Sequence, residues 1–254
     1  RMLVLARGIS GGRSLVSLAS LLPGDDRALD RKALEDAVVR DGAGLELELT
    51  PHLGFAEDPW SGIVETVRSY GFGPIAPNTI LFGLPKPENI NALAPAIRAA
   101  VRERRNVMLV GHGTETVGSG HLDIWWRGGG DNGALMLALA LLLRRDEAWG
   151  RLSPRVNMLI HNRTVAEAER QLSDFLVQAR IEAETRILNT DGAPFTQALT
   201  RHSTDAALSL IGLRAPRDEE SDADYGDYLG HLMADLATIP SPVFVLAAHE
   251  LNLS

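Results

Sequence analysis

The segment HLDIWWRGGGDNGALMLALALLL, residues 121–143, decides the fold class. Its first six residues form a largely apolar run of strand length, and the stretch from Gly133 to Leu143 is apolar on every side. A helix without a polar face has to be covered on both sides, so the segment predicts a buried strand followed by a central packing helix. Side chains alternate along a strand, and the rings of Trp125 and Trp126 are therefore expected on opposite faces of the sheet.

The rest of the chain alternates in the same way between short aliphatic runs and longer segments of helical period. This alternation is typical of βαβ units and predicts a Rossmann-like α/β fold with a mostly parallel sheet. Residues 14–22 are predicted to form the first helix. The predicted strands centre on residues 3–6, 45–49, 79–84, 106–110, 122–126, 156–160, 185–188, 206–211 and 243–247.

Two of the helices have recognisable start signals. Asp58 followed by Pro59 supplies an N-cap and a proline in the first turn. Thr164 and Glu167 have the spacing of a capping box, in which each side chain satisfies a backbone donor at the helix start. The second signal predicts a long helix that ends near Ile181.

An internal repeat relates two distant parts of the sequence. ILFGLPKP, residues 80–87, matches SLIGLRAP, residues 209–216, in its Gly-Leu pair and in a proline four residues after the glycine. A helix and a second strand are predicted after both. The repeat predicts two duplicated βαβ subdomains, residues 1–120 and 121–254, although any two βαβ units share part of this pattern.

Charge and composition exclude several kinds of protein. The formal net charge of -8 and the lack of a basic run argue against a nucleic-acid partner. The chain contains no cysteine, which excludes disulfides and thiol nucleophiles. The longest apolar stretch, residues 134–143, is far shorter than the roughly 20 residues of a membrane-spanning helix. The acidic segment 217–224 is expected to be an irregular, mobile surface loop.

Glycines and arginines follow the first predicted strand. If a helix begins at Ser14, backbone amides freed by these glycines would lie near its N-terminus, where phosphate binds well. The pattern is neither G-x-G-x-x-G nor a P-loop, so a tight turn without a ligand is the alternative. The candidate phosphate-binding residues are Arg7, Gly8, Gly11, Gly12 and Arg13.

A second glycine-rich stretch connects two predicted strands. Gly111 and His112 begin it, and Gly120 ends it. Universal stress proteins use glycines of this kind around the phosphates of ATP, so Gly111 and His112 are further candidates for an adenine nucleotide site. The spacing differs from that family's motif, and a hinge or hairpin between subdomains is the alternative.

No recognised metal-binding motif occurs in the sequence. The seven histidines are scattered and lack ligand spacing, so no metal site is predicted. His161 and His249 follow predicted strands, where an α/β enzyme places catalytic groups, but neither has an evident partner. We therefore do not expect an enzyme.

Four segments resemble the cytosolic C-terminal domain of cation-chloride cotransporters. HLDIWW with DNG and the aliphatic helix, residues 121–143, is similar to that domain's IDIWW and DGGL elements. GFGPIAPNTILFG, residues 71–83, is similar to its segment around Pro-Asn-Thr. Residues 3–16 resemble its opening strand and helix, and residues 204–246 resemble its closing strand, acidic loop, helix and strand. The resemblance thus extends over nearly the whole chain.

The resemblance implies a cytosolic regulatory domain, similar in each half to universal stress proteins. It would lie beneath the membrane-spanning part of a secondary transporter of the amino-acid permease superfamily, which is the expected partner, and would form a homodimer. Some family members hold a nucleotide in this domain, which favours ATP at the candidate glycines. Counterparts of the eukaryotic phosphorylation segments are missing, which favours a prokaryotic or minimal member. The alternatives are a nucleotide-binding stress protein, a small α/β enzyme and an interaction domain without a ligand.

Overall fold

The computed structural model describes residues 2–12, 14–24, 30–71, 76–111, 120–127, 131–160, 164–179, 181–189 and 192–249. The strands are β1 (Val16–Pro23), β2 (Leu49–Ala56), β3 (Thr79–Gly83), β4 (Asn106–Val110), β5 (His121–Trp126), β6 (Ser153–Ile160), β7 (Glu184–Asn189), β8 (Ala206–Gly212) and β9 (Pro242–Leu246). The helices are α1 (Met2–Ser10), α2 (Arg31–Ala43), α3 (Pro59–Ser69), α4 (Leu93–Arg102), α5 (Asp131–Leu143), α6 (Val165–Ala179), α7 (Phe195–His202) and α8 (Asp222–Asp235).

Seven strands form one sheet in the order β3-β4-β9-β8-β5-β6-β7, and β1 pairs with β2 in a separate parallel sheet. Within the described residues, every pairing is parallel except that of β4 with β9. The prediction of an α/β fold with a mostly parallel sheet is therefore confirmed. None of the helices described combines the length and the hydrophobicity of a membrane span.

The seven-stranded sheet is covered on both faces. On one face, side chains such as Ile124 and Trp126 join α5 and α6 in a first apolar core. On the other face, Trp125 and Phe244 join α4 and α8 in a second core. The predicted separation of the two tryptophans is confirmed: the Trp126 ring stacks on Phe175 at 4.4 Å, and Trp125 meets Phe195 edge-on.

Helix α5 has the central position that its apolar composition predicts. It lies against the sheet on one side, and α1 packs against its other side. Leu137 and Leu143 are fully buried. The contact with α1 is close, because a Cβ atom at Gly8 would lie 2.6 Å from the Trp149 ring and 2.8 Å from Leu143.

For the first 22 residues, the predicted types of secondary structure are wrong. The predicted strand 3–6 lies in α1, and the predicted helix 14–22 is mostly β1. In α1, burial of Leu5 and Gly8 against α5 and of Ala6 against Leu47 and Leu49 outweighs the strand-like appearance of Leu3-Val4-Leu5. In β1, half-buried Val16, Leu18 and Ser20 alternate with exposed residues, which is the pattern of a strand.

The predicted strand at residues 45–49 begins later, as β2. The backbone N–H groups of Leu45 and Leu47 both donate to the carbonyl of Gly42, and these bonds close the end of α2. Glu46 has a positive φ of 54° in this turn. Residues 45–47 thus end a helix, although their apolar character resembles that of a strand.

The repeat noticed in the sequence has a structural counterpart. β3, α4 and β4 match β8, α8 and β9, and the antiparallel pairing of β4 with β9 relates the two units by a local two-fold. Leu84 donates its N–H to Val110 O at 3.0 Å, and Leu213 donates in the same way to Val245 O at 2.8 Å. Strands from both predicted subdomains thus share one sheet, and the division at residue 120 itself stays a prediction.

Both helix-start predictions are confirmed. The Asp58 carboxylate accepts from the N–H groups of Trp60 and Ser61 at the start of α3. Hydrogen bonds from Ser61 lower the pKa of Asp58. Thr164 and Glu167 form the capping box of α6, with the Glu167 N–H donating to Thr164 Oγ1 at 3.3 Å. The helix that follows ends at Ala179, two residues before the expected end.

The acidic segment 217–224 is irregular up to Ser221, as predicted, and its last three residues begin α8. Arg98 of α4 donates to Asp222 Oδ1 at 2.7 Å and to the carbonyl oxygens of Arg217 and Glu220 at 3.0 and 2.6 Å. Ser221 caps α8, which begins at Asp222. One arginine from a neighbouring helix therefore fixes a segment whose composition suggests disorder.

Candidate functional site

Ligands of open α/β sheets bind at the carboxyl ends of the strands, where the strand order reverses. In this sheet the chain runs from β5 outward to β6 and β7, and then returns to β8 on the other side of β5. The reversal therefore lies between β5 and β8. We refer to the carboxyl ends of β5, β8 and β9, with the start of α5, as the crossover cleft.

Asn132, the second residue of α5, lies at the crossover cleft. Its Nδ2 donates to Leu213 O at 2.7 Å, and its Oδ1 accepts from the N–H of Ala247 at 2.7 Å. A single side chain thus joins the ends of β8 and β9 to the start of α5.

Two arginines border the cleft on the side of α7 and α8. The Arg127 guanidinium lies 4.7 Å from the centre of the Phe195 ring, and that of Arg214 lies 3.9 Å from the centre of Tyr228. Arg214 is also held by both carboxylate oxygens of Glu220. The hydrogen bond from Arg214 lowers the pKa of Glu220 to about 2. The charge of Arg214 is thus compensated within the protein.

The predicted phosphate site does not have the expected geometry. Arg7, Gly8, Gly11 and Gly12 lie at the C-terminal end of α1, where a helix presents carbonyl oxygens and the negative end of its dipole. The guanidinium of Arg7 is bound by Asp146 at 3.0 and 3.2 Å. The prediction of a phosphate-binding helix start is wrong here, because the strand and the helix are interchanged.

Of the remaining predicted ligands, the structure describes Gly111. Gly111 follows β4, and its N–H donates to Pro242 O at 2.9 Å, beside the antiparallel pairing of β4 with β9. Arg7, unlike Gly111, contacts the turn after α5, through its ion pair with Asp146. Arg13 and His112 lie outside the described residues.

The most extensive polar network lies at the opposite, amino-terminal ends of the strands. Arg155 of β6 and Asp123 of β5 are both fully buried, and they form two hydrogen bonds of 2.6 and 3.0 Å. Arg155 also binds Asp205, which precedes β8, at 2.7 and 3.0 Å. Hydrogen bonds to Asp205 and Asp123 raise the pKa of Arg155, so the guanidinium stays charged.

The network continues to Ser203 and Trp125. Ser203 Oγ donates to Asp123 Oδ2 at 3.0 Å and accepts from Trp125 Nε1 at 2.8 Å. Ser203 is fully buried, so a substrate cannot reach its hydroxyl. The network connects β5, β6 and the start of β8, and its geometry is that of a structural clamp.

The histidines considered from the sequence do not complete a catalytic group. His161 lies outside the described residues. His249 follows β9, and its Nδ1 atom is buried and has no hydrogen-bond partner among the described residues. In the part of the chain that the structure describes, no cluster of His, Asp or Glu side chains has the geometry of a metal site.

Two solved structures match this chain over nearly its whole length. The cytoplasmic domain of a prokaryotic cation chloride cotransporter matches with a TM-score of 0.65 and 19% identity, over 98% of this chain and 90% of that one. A universal stress protein from Archaeoglobus fulgidus DSM 4304 matches with a TM-score of 0.58 and 12% identity, over 96% and 90%. The fold is universal-stress-protein-like. No protein-family model matches the sequence.

A protein of unknown function from Pseudomonas aeruginosa PAO1 shares this universal-stress-protein-like fold, with a TM-score of 0.60 and 14% identity over 96% of this chain and 86% of that one. Identities this low establish the fold alone.

Sequence reasoning missed the residues that border the crossover cleft of this universal-stress-protein-like fold. Asn132 was included in the predicted helix start without a role, and Arg127 and Arg214 were not considered. The glycine run between β5 and α5 was the available signal, because such turns from a first strand to a helix mark the usual ligand site. The hydrogen bonds of Asn132 to the ends of β8 and β9 have no counterpart in local sequence.

Proposed function

We propose that the chain is a cytosolic regulatory domain of a secondary transporter of the cation-chloride cotransporter kind. In this role it binds the transporter's membrane-spanning part, forms a homodimer on the cytoplasmic side and does no chemistry itself. The supporting observation is that two independent comparisons agree: the sequence segments that resemble this family, and a structural match over 98% of the chain to a cytoplasmic domain from it.

The resembling segments include core elements of the fold, which supports the proposal. HLDIWW forms β5, next to the strand reversal, and the aliphatic segment forms the buried helix α5. The described part of the Pro-Asn-Thr segment leads into β3, where the repeat begins. The segments that resemble the family's pattern thus include ones that pack in the core of the sheet.

The chemistry of the described residues also favours a scaffold. The side chain of Asn132 joins strand ends at the crossover cleft, and the charge of Arg214 beside it is compensated by Glu220. The most polar buried group, Arg155 with Asp123 and Asp205, joins strands at the end where α/β enzymes do not bind substrates. These features stabilise a rigid shape that can transmit movement to a bound partner.

The complete gene provides the first test. We expect its coding sequence upstream of Arg1 to contain a series of apolar segments of about 20 residues each. A gene that encodes no such segments would contradict the proposal.

Transport measurements provide the second test. The full protein, reconstituted in liposomes, is compared with a version that ends before Arg1, at equal amounts of inserted protein. We expect ion or amino-acid flux to change when the domain is removed. Sedimentation velocity of the 254-residue chain tests dimerisation, and a monomer at high micromolar concentration would contradict that part of the proposal.

A nucleotide-binding stress protein is the second candidate, and the universal-stress-protein-like fold is the observation that favours it. Of the predicted glycines, Gly8, Gly11 and Gly12 lie at a helix C-terminus, which does not suit a phosphate. Calorimetry with ATP separates the two candidates.

A further inference from the structure

One edge of the large sheet is open. β7 pairs with β6 and is the last strand of the sheet, so its other edge has no strand partner among the described residues. Unpaired edges of this kind can receive an additional strand from another polypeptide. Proteins usually protect such an edge with charge, and here Glu184 and Arg186 occupy part of it and bind each other at 2.8 Å.

A groove of about 480 Å³ runs beside this edge, between β7 and α6. Its apolar floor contains Leu172 and Leu176, which are buried, and Ile187 of β7. Val177 also lines the groove, and 73% of it is exposed, which is unusual for a large aliphatic residue. Glu169 and Glu182 contribute carboxylates to the same lining.

The groove is long enough to hold a short extended segment of polypeptide. A strand paired with β7 would lie about 4.8 Å beyond it, above the α6 residues that line the groove. From Glu169 to Val177 the helix rises about 12 Å, which matches about four residues of an extended chain. Alternate side chains of such a strand would cover Leu176 and Val177, so helix and edge are both complementary to an added strand.

The charge of the groove indicates the nature of the occupant. Glu169 and Glu182 are exposed and form no ion pair within the described residues. A second copy of this chain, with its net charge of -8, offers no excess of basic groups to pair with these carboxylates. Cytosolic loops of membrane proteins, in contrast, carry an excess of Lys and Arg. An apolar segment with basic residues at its ends complements the groove in both respects.

We infer that the groove between α6 and β7 binds an extended, basic segment from a cytosolic loop of the membrane-spanning part, which adds a strand to β7. The chemistry of the segment follows from the groove, and its source in the transporter rests on the proposed function. Binding of this loop is the contact through which the domain would follow the state of the transporter.

The experiment uses the 254-residue chain and a synthetic peptide of alternating threonine and valine with a lysine at each end. Fluorescence anisotropy measures binding, and a peptide with glutamates in place of the lysines is the charge control. We expect saturable binding of the basic peptide and at least about tenfold weaker binding of the acidic one, because two exposed charge pairs are worth about 1.4 kcal/mol together. Hydrogen exchange should slow at the β7 amides that face away from β6.

Variants distinguish the groove from general attraction to an acidic protein. The double variant Glu169→Lys with Glu182→Lys should weaken binding about tenfold or more, and Val177→Lys should also weaken it. Glu219→Lys changes the charge of an exposed residue on the acidic segment, and Val165→Lys changes a half-exposed valine of α6 outside the groove. Both control variants should bind like the unmodified chain.

Three results would overturn the inference. The first is equal binding by the groove and control variants, and the second is binding without slowed exchange in β7. Absence of peptide binding would also overturn it but would leave the regulatory-domain proposal standing, because that proposal is tested on the gene and on transport. If the gene instead encodes no membrane spans, the segment that binds the groove cannot come from a loop of a transporter.

Discussion

The guanidinium of Arg155 donates to the carboxylate of Asp123 through Nε at 2.6 Å and through Nη2 at 3.0 Å, and both side chains are completely shielded from solvent. A buried ion pair contributes little net stability compared with a well-packed apolar pair, but loss of one partner is costly. The pair lies between adjacent parallel strands, so it also determines how β5 and β6 are aligned.

Replacement of Arg155 by Met should destabilise the protein strongly. The variant leaves Asp123 buried without its cation, which costs about 3–5 kcal/mol of the free energy of unfolding. Urea denaturation followed by circular dichroism measures this change. Asp205→Asn is the matched control, because Asp205 is 55% exposed and its loss should cost far less. Equal effects of the two variants would show that burial of the pair is unimportant.

Acid should weaken the same network through Asp205. The Arg155 guanidinium lowers the pKa of Asp205 to about 2, whereas an unfolded Asp titrates near 3.9. A carboxylate with a lowered pKa stabilises the fold above its unfolded pKa, and this contribution is lost as the pH falls from about 4 to about 2. Because the side chain is half exposed, solvent screening limits the effect to about 1 kcal/mol or less.

Thermal unfolding between pH 5 and pH 2 tests this dependence. The difference in stability between the unmodified chain and Asp205→Asn should shrink as the pH falls through this range. A constant difference would contradict the role given to the Asp205 carboxylate.

Two glycines of α8 should respond in opposite directions to alanine. A Cβ at Gly226 would lie 2.8 Å from the Asn91 Cα, and backbone cannot move away easily, so Gly226→Ala should cost about 1–3 kcal/mol. At Gly230 the nearest atom, Ile90 Cγ2, is 3.5 Å away, which is an ordinary contact. Gly230→Ala should therefore stabilise the helix by about 0.5–1 kcal/mol.

Urea midpoints of the two variants measure this contrast. The same substitution in the same helix controls for helix propensity. Stabilisation by Gly226→Ala would show that α8 and the turn before α4 are not in close contact.

ATP should not bind at the first glycine-rich stretch. The end of α1 presents carbonyl oxygens, and the charge of Arg7 is engaged by Asp146. We expect no heat in calorimetry and no thermal shift at millimolar ATP. Binding that is abolished by Gly11→Val, with the fold intact by circular dichroism, would contradict this expectation and favour the nucleotide-binding candidate.

The sequence predicted the elements whose signals are local. The all-round apolarity of 133–143 placed α5 in the centre, the alternation at Trp125 and Trp126 assigned the two faces, and the spacing of Thr164 and Glu167 located the start of α6. Each of these properties involves residues within one or two turns of one another. The resemblance of the two Gly-Leu segments similarly anticipated a shared position in β3 and β8.

The first 22 residues show why other predictions failed. The run 3–6 suits a strand or a helix, and packing on α5, more than 130 residues away in the chain, decides for the helix. Once that element is a helix, the glycines after it lie at its C-terminus, and the candidate phosphate site is lost. An error in one element thus removed the geometry on which the site depended.

The sequence by itself determined the α/β class, the central helix, the two-faced strand beside it and the helix starts, because these depend on side-chain period and on neighbours in the chain. Only the tertiary structure decided that Asn132 joins the ends of β8 and β9 to α5, that Arg155 joins three strand starts and that β7 leaves an open edge beside an acidic groove. These features depend on contacts between residues such as Asn132 and Ala247, 115 positions apart. Long-range contacts of this kind form when the strands take their order in the sheet, which no local pattern encodes.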